Sequence, residues 1–160
     1  MFHKLLKVLR PSLVRIRTEL LVRHIRDGKV IAIRRVLDKC VTTAFVNYLV
    51  DALQAGGGAI NQFKYHDSGT GVVAESITDT TLGTPTGEAR DTGTQAENAA
   101  NIYESVATHT YAGTFAITEH GLFNQSSGGT LMDRTVFAAV NVVATDKIEF
   151  TFRITFTAGG

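Results

Sequence analysis

The sequence predicts a mainly β protein: an antiparallel β-sandwich, jelly-roll-like, with one short helix and a basic N-terminal arm. Three observations predict it. From Gln62 onward the apolar residues recur every second position, most clearly in "DKIEFTFRITF" near the end. The dipeptide Asp27-Gly28 sits between two alternating runs, the strongest short signal of a β-hairpin. Charge is low at 19%, while Gly, Thr and Ala are abundant, as in chains with many strands and turns.

Taken in order, Phe2, Leu5, Leu6 and Leu9 fall at helical spacing until Pro11 stops the turn, giving a short amphipathic segment inside an arm over 1–17. A hairpin and a helix occupy 18–54. With a two-residue turn at Asp27-Gly28, Leu20, Val22, Ile31 and Ile33 should share one face, with Arg23 and Arg34 on the other. In that register His24 lies opposite Ile31 as a tolerated face residue. The stretch "TTAFVNYLVDALQAGGGA" reads as a helix, capped by Thr42 or Thr43, with Phe45, Val46, Leu49, Val50 and Leu53 as one core-facing stripe. A Gly-rich joint follows at 55–61, and the main sheet fills 62–160. Its expected strands are 62–66, 100–111, 114–118, 130–137 and 147–156, with a long Thr/Gly-rich crossing between the first two. In the last, Ile148, Phe150, Phe152, Ile154 and Phe156 face one way and charged or Thr residues the other.

A chain of 160 residues suits one domain with its own core. The single cysteine, Cys40, has no internal partner, fits a reducing compartment at synthesis, and reads as a small buried hydrophobe. No run reaches the length of a membrane span, and the scattered basic residues at the start are unlike an export signal. The net charge of +1 conceals a division: residues 1–40 carry eleven basic and three acidic side chains, and the other 120 carry five and twelve. A basic front on an acidic body points to head-to-tail contact between copies, or to an arm laid on an acidic partner. Lys4, Lys7, Arg10, Arg15, Arg17, Arg23 and Arg34 are the candidate partner-binding residues. Nucleic acid is disfavoured, because the arm lacks interleaved aromatics.

The polar stretch "ITEHGLFNQSSGGTLMDRTVF" invites a catalytic reading, which its chemistry resists. Ser126 and Ser127 lie in a flexible turn composition without a G-x-S-x-G elbow. Glu119 and His120 are adjacent, so on a strand they leave opposite faces. His66, His109 and His120 lack metal-ligand spacing, and Cys40 has no C-x-x-C companion. The expectation is therefore a strand, a Gly-Gly turn and another strand, with no catalytic, cofactor or metal residues and no small-molecule substrate.

The succession "VTTAFVNYLVDAL", "YHDSGTG", "DTTLGTP", "ITEHGLF", "GGTLMDRTVF" and "DKIEFTFRITF" resembles a family of small tailed-bacteriophage virion structural proteins over roughly residues 18–156. The resemblance implies a non-enzymatic virion component, made in the host bacterial cytoplasm. It would be a capsid decoration or cement protein stabilising the assembled head, or alternatively a tail baseplate, tail-tip or fibre component. Its partners would be the major capsid protein or tail proteins, with self-association into a homo-oligomer such as a trimer. A host-contacting tail protein would present sugar-binding aromatics, for which Tyr103, Tyr111 and Phe123 are the candidates. The shared residues make sense as architecture: Gly69 and Gly71 as tight backbone, Asp79 and Thr80 closing a turn, Gly121 letting a strand bend, and Arg134 pairing with Glu119 across neighbouring strands.

Overall fold

The computed structural model describes residues 14–53 and 59–159. Ten strands and one helix follow in order: β1 (Arg15–Arg26), β2 (Lys29–Leu37), β3 (Cys40–Val41), α1 (Thr43–Leu53), β4 (Tyr65–Gly69), β5 (Asp91–Thr92), β6 (Thr94–Ala99), β7 (Ile102–Thr110), β8 (Phe115–Phe123), β9 (Leu131–Val142) and β10 (Lys147–Thr157). They form two five-stranded antiparallel sheets, β2-β1-β10-β7-β6 and β3-β9-β8-β4-β5, packed as a sandwich. Pairing is nested: β1 meets β10, β3 meets β9 and β4 meets β8. The first strand of the described chain thus lies beside the last, as expected of a jelly-roll-like wrap.

The alternation in β10 is the reason it sits at the centre of the first sheet. Ile148, Phe150, Phe152 and Ile154 are almost wholly buried against Leu20 and Val22 of β1 and the inner residues of β9. The opposite face carries a line of paired charges across four strands, continued onto the fifth by an amide. Arg35 on β2 bonds Glu19 on β1, Arg153 on β10 bridges Glu19 to Glu104 on β7, and Asn98 on β6 donates to Glu104.

The hairpin turn forms where the sequence places it, with Asp27 and Gly28 at φ 50° and 73°. The expected faces do not all follow. A bulge sets Ile25 opposite Val30 but His24 opposite Ala32, leaving Ile31 as the extra residue. Beyond it the register is displaced by one, which turns each β2 side chain to the other face. Ile31 and Ile33 are consequently exposed (51% and 56%), while Val36 packs inward opposite Leu20 and Arg34 opposite Val22.

Helix α1 begins as expected, with the Thr42 hydroxyl accepting from the Phe45 N–H at 3.2 Å. Only part of its stripe is core. Phe45 is buried and Tyr48 and Leu49 pack beside it, whereas Val46, Val50 and Leu53 face outward. Strand limits shift too. Ile60–Gln62 is a single 3-10 turn rather than the start of a strand, β8 runs on to Phe123, and β9 runs on to Val142. Strand β1 begins at Arg15, three residues inside the segment assigned to the arm, so Arg15 and Arg17 belong to the sheet. Glycines 56–58 of the expected joint lie outside the described residues.

The second sheet is covered on its outer face as well. The crossing between β4 and β5 folds back over β8 and β9, placing Leu82 against Phe123, Leu131 and Tyr65 in a small second core. No helix among the described residues is long and apolar enough to cross a membrane.

Candidate partner-binding surface and buried polar clusters

Of the seven candidate partner-binding residues, Lys4, Lys7 and Arg10 lie outside the described residues. The structure distributes the other four along the β1–β2 hairpin. Arg23 is held by Glu149 at 2.8 Å, and Arg17 meets Asp38 at 3.5 Å. Arg15 is exposed, and Arg34, half-buried, donates to the Ile33 carbonyl. Neither Arg15 nor Arg34 has an ionic partner among the described residues, so their charge is available to another molecule.

The hairpin adds an apolar component that the alternation concealed. Val30, Ile31, Ile33 and Leu37 are all exposed on β2, an edge strand whose outer backbone groups have no sheet neighbour among the described residues. Edge strands are ordinarily protected by charge, Pro or short length. At the other edge of the same sheet, β6 is six residues long and reads Thr-Gln-Ala-Glu-Asn-Ala. The hairpin is clamped to the body by Asp146, which accepts from Arg26 Nε at 2.8 Å and Nη2 at 2.6 Å and contacts His24 Nε2 at 2.9 Å. The bonds from Arg26 hold the Asp146 carboxyl well below its usual range. His24 is therefore a buried partner in an ion cluster, correcting the expectation of a tolerated face residue.

The polar stretch 117–137 resolves as β8, a turn and β9, with Gly128 and Gly129 both at positive φ. Its ionisable residues are anchors. Glu119, fully buried, accepts from the N–H groups of Gly71, Gly83 and Thr84 at 3.0, 2.9 and 2.7 Å, and from Arg134 Nε at 2.8 Å. Arg134 reaches on to Asp79 at 2.9 Å and to the Val73 carbonyl at 3.1 Å. Burial alone would raise the Glu119 pKa, but the backbone donors and Arg134 outweigh it and hold the carboxyl below the ordinary value. The carboxylate fills the space that side chains at 69 and 71 would need, since a Cβ on Gly71 would lie 2.5 Å from Glu119 Oε1. Gly121 serves a similar end, leaving room for Leu82. The expected Glu119–Arg134 pair is present, and it ties the crossing to the sheet.

On the inner face, His120 Nε2 and His66 Nδ1 are 2.9 Å apart, and His66 Nε2 lies 2.8 Å from Ser105 Oγ. A serine, a histidine and a second orienting histidine resemble a nucleophile relay in outline. All three are buried to within 2% of zero exposure, and the adjoining crevice has no room for a water-sized molecule. Burial drives both imidazoles toward the neutral form, His66 to about 3 and His120 well below its ordinary value. His120 Nδ1 has no hydrogen-bond partner among the described residues. The arrangement in which His120 donates to His66 and His66 to Ser105 leaves that atom a bare lone pair, the cheaper orphan. Asp133 is also fully buried, bonded to Thr135 at 2.7 Å, and burial raises its pKa to about 7.

His109 is separate, with both ring nitrogens taken by carboxylates, Asp91 at Nδ1 and Glu88 at Nε2. Burial opposes its charge, but the two carboxylates prevail and raise its pKa. No set of three or more His, Cys, Asp or Glu side chains among the described residues is placed to hold a metal ion. Of the candidate sugar-binding aromatics, Tyr111 and Phe123 are each 1% exposed, and the half-buried Tyr103 gives its hydroxyl to the Phe63 carbonyl. Tyr111 and Phe123 are core residues, Tyr103 packs against the core, and no aromatic stands among the exposed large apolar side chains of the described residues.

Comparison with known proteins finds no matching family model, no matching curated protein and no matching solved structure.

Proposed function

We propose that this protein is a non-enzymatic structural component of a tailed-phage virion, a decoration protein that binds the assembled head. The carrying observation is the β2 edge strand. Four large apolar side chains and an outer backbone edge lie near Arg15 and Arg34, which have no ionic partner among the described residues. Such a surface suits an acidic protein face that accepts an added strand. The resemblance of the motif succession to phage virion proteins supplies the setting, and the buried ionisable clusters, all occupied in holding the fold, leave the surface as the functional element. Binding to the lattice but not to free capsid subunits would stabilise the head by mass action.

The test is mass spectrometry of virions separated into heads and tails, counted against the major capsid protein. A fixed ratio in heads supports decoration. A few copies confined to tails would replace it with a baseplate or fibre role, and absence from both would overturn the structural reading.

A further inference from the structure

The chain leaves the second sheet and joins the first at Gly93, between β5 and β6. It passes directly over the buried His66–Ser105 pair, where a Cβ on Gly93 would collide with both side chains. Beside it runs a closed crevice bordered by His66, Asp67, Thr86, Glu88, Asp91 and His109, with no room for a water-sized molecule. We propose that His109, Glu88 and Asp91 form a proton-operated latch on this corner, which keeps solvent from His66 while His109 is charged and frees the 86–90 segment when that charge is lost.

The geometry is that of an imidazolium. Glu88 Oε2 lies 2.5 Å from His109 Nε2, and Asp91 Oδ2 meets Nδ1. Carboxylates only accept, and only the doubly protonated ring has a donor at each nitrogen. A neutral ring serves one carboxylate and turns a lone pair toward the other. Asp91 is fixed in β5 by its pairing with His66, so Glu88 is the partner released. Its segment has few other holds. The Thr86 N–H donates to the Ser68 carbonyl and Arg90 is pinned by Asp67. Between them, Glu88 is the only side chain of the described residues that reaches another element, its Oε1 accepting from the Ala112 N–H at 2.8 Å. The surrounding groups leave the ring to these two carboxylates. Tyr111 packs edge-on at 4.5 Å, and burial pushes its hydroxyl pKa up. Across the crevice Asp67 is paired with Arg90, and burial holds His66 neutral. On β10, Ile148 lies opposite His109 and Lys147 opposite Thr110. Burial opposes the charge on His109, but Asp91 and Glu88 outweigh it, so the folded ring keeps its proton above the ordinary value. The latch therefore holds below that value and loosens as pH rises through the folded pKa.

The Ala112 amide reports the latch, because Glu88 accepts its hydrogen. Its exchange in the full chain is followed by NMR from about pH 5.5 to 9, corrected for the intrinsic rate, beside the His109 ring-nitrogen shifts. Ala112 protection should hold below about pH 6.5, fall roughly tenfold per pH unit until His109 itself titrates, and then level off. Deuterium uptake at His66 C2 should quicken in step, while the Phe152 amide at the centre of the first sheet stays protected. Glu88→Gln should remove the fall, since a glutamine accepts from Ala112 through its oxygen and donates to the neutral His109 ring through its nitrogen. No fall in the unmutated chain, an unchanged His66, a parallel fall at Phe152, or the same fall in Glu88→Gln would each overturn the latch. The unmutated chain decides alone if the variant does not fold.

Discussion

Glu19 on β1 and Glu119 on β8 both meet arginines from neighbouring strands, yet the two sheets use them differently. Glu19 keeps about a fifth of its side chain in water, and its bonds with Arg35 and Arg153 belong to a charge line on an open face. Glu119 is fully enclosed, because the crossing between β4 and β5 covers the outer face of its sheet. Water helps satisfy the first carboxylate; the second depends on three N–H groups and one guanidinium. The first sheet is a face on which substitution is cheap. The second is a scaffold whose polar groups position a loop of some twenty residues.

The largest expected effect follows from that enclosure. Glu119→Ala strands the donors of Gly71, Gly83 and Thr84 and leaves Arg134 with only Asp79 for an ionic partner, at a cost of about 3–5 kcal/mol. A urea titration should show a lower midpoint, and limited proteolysis should cut within 70–90 first. A loss under about 1 kcal/mol would mean that the crossing is held by something other than Glu119.

Next in size is a dependence on acid carried by the inner face of the second sheet. His66 and His120 are neutral in the fold and bind protons on unfolding below about pH 6.5, so their contribution is lost as pH falls. Asp133 runs the other way: its folded pKa of about 7 exceeds the unfolded carboxylate value, so it gains stability as pH falls through that window. Two protons against one leave a net loss of about 1.4 kcal/mol per pH unit between roughly pH 6 and 5. Asp133→Asn removes the opposing group and should double the slope. Unfolding midpoints at three pH values decide it, and a flat profile would show that the histidines are already charged in the fold. His109, whose pKa is raised, contributes stability that is lost only as pH rises above about 6.5.

The same contrast explains what the sequence discloses. β10 is legible because one face is core and the other wet, so its alternation is unbroken. The strand limit expected at Thr118 falls short of the observed end at Phe123. The burial of Glu119 and His120 depends on partners elsewhere in the chain, the crossing for Glu119 and His66 for His120. The Glu119–Arg134 pair could be anticipated, since it joins strands adjacent in sequence. The His66–His120–Ser105 chain could not, since no local spacing records it. On β2 the turn was visible and the faces were not: Ile31 and Ile33 alternate just as well on either side of a bulge. The sites that local pattern misreads are those where distant residues set the environment.

Arg153→Met tests the open face. It removes the link between Glu19 and Glu104 on a solvated surface, where such pairs are worth at most about 1 kcal/mol. That small loss should shrink further in high salt, whereas the Glu119→Ala loss should not. A salt-independent cost of several kcal/mol would make the outer line a structural element equal to the buried one.

The smallest effect on stability, and the most informative for function, belongs to Ile33→Lys. Ile33 is 56% exposed on the edge strand, so the substitution should change unfolding by no more than about 0.5 kcal/mol. A lysine there puts a charge in the middle of the exposed apolar row of β2, which should abolish strand addition by a partner. The measurement is co-sedimentation with purified heads. Retained binding with unchanged folding would detach the β2 edge from the proposed function and return attention to the cationic residues alone. Lost binding with unchanged folding would tie the exposed apolar strand, whose Ile31 and Ile33 were expected to share a face with Leu20 and Val22, to the partner surface.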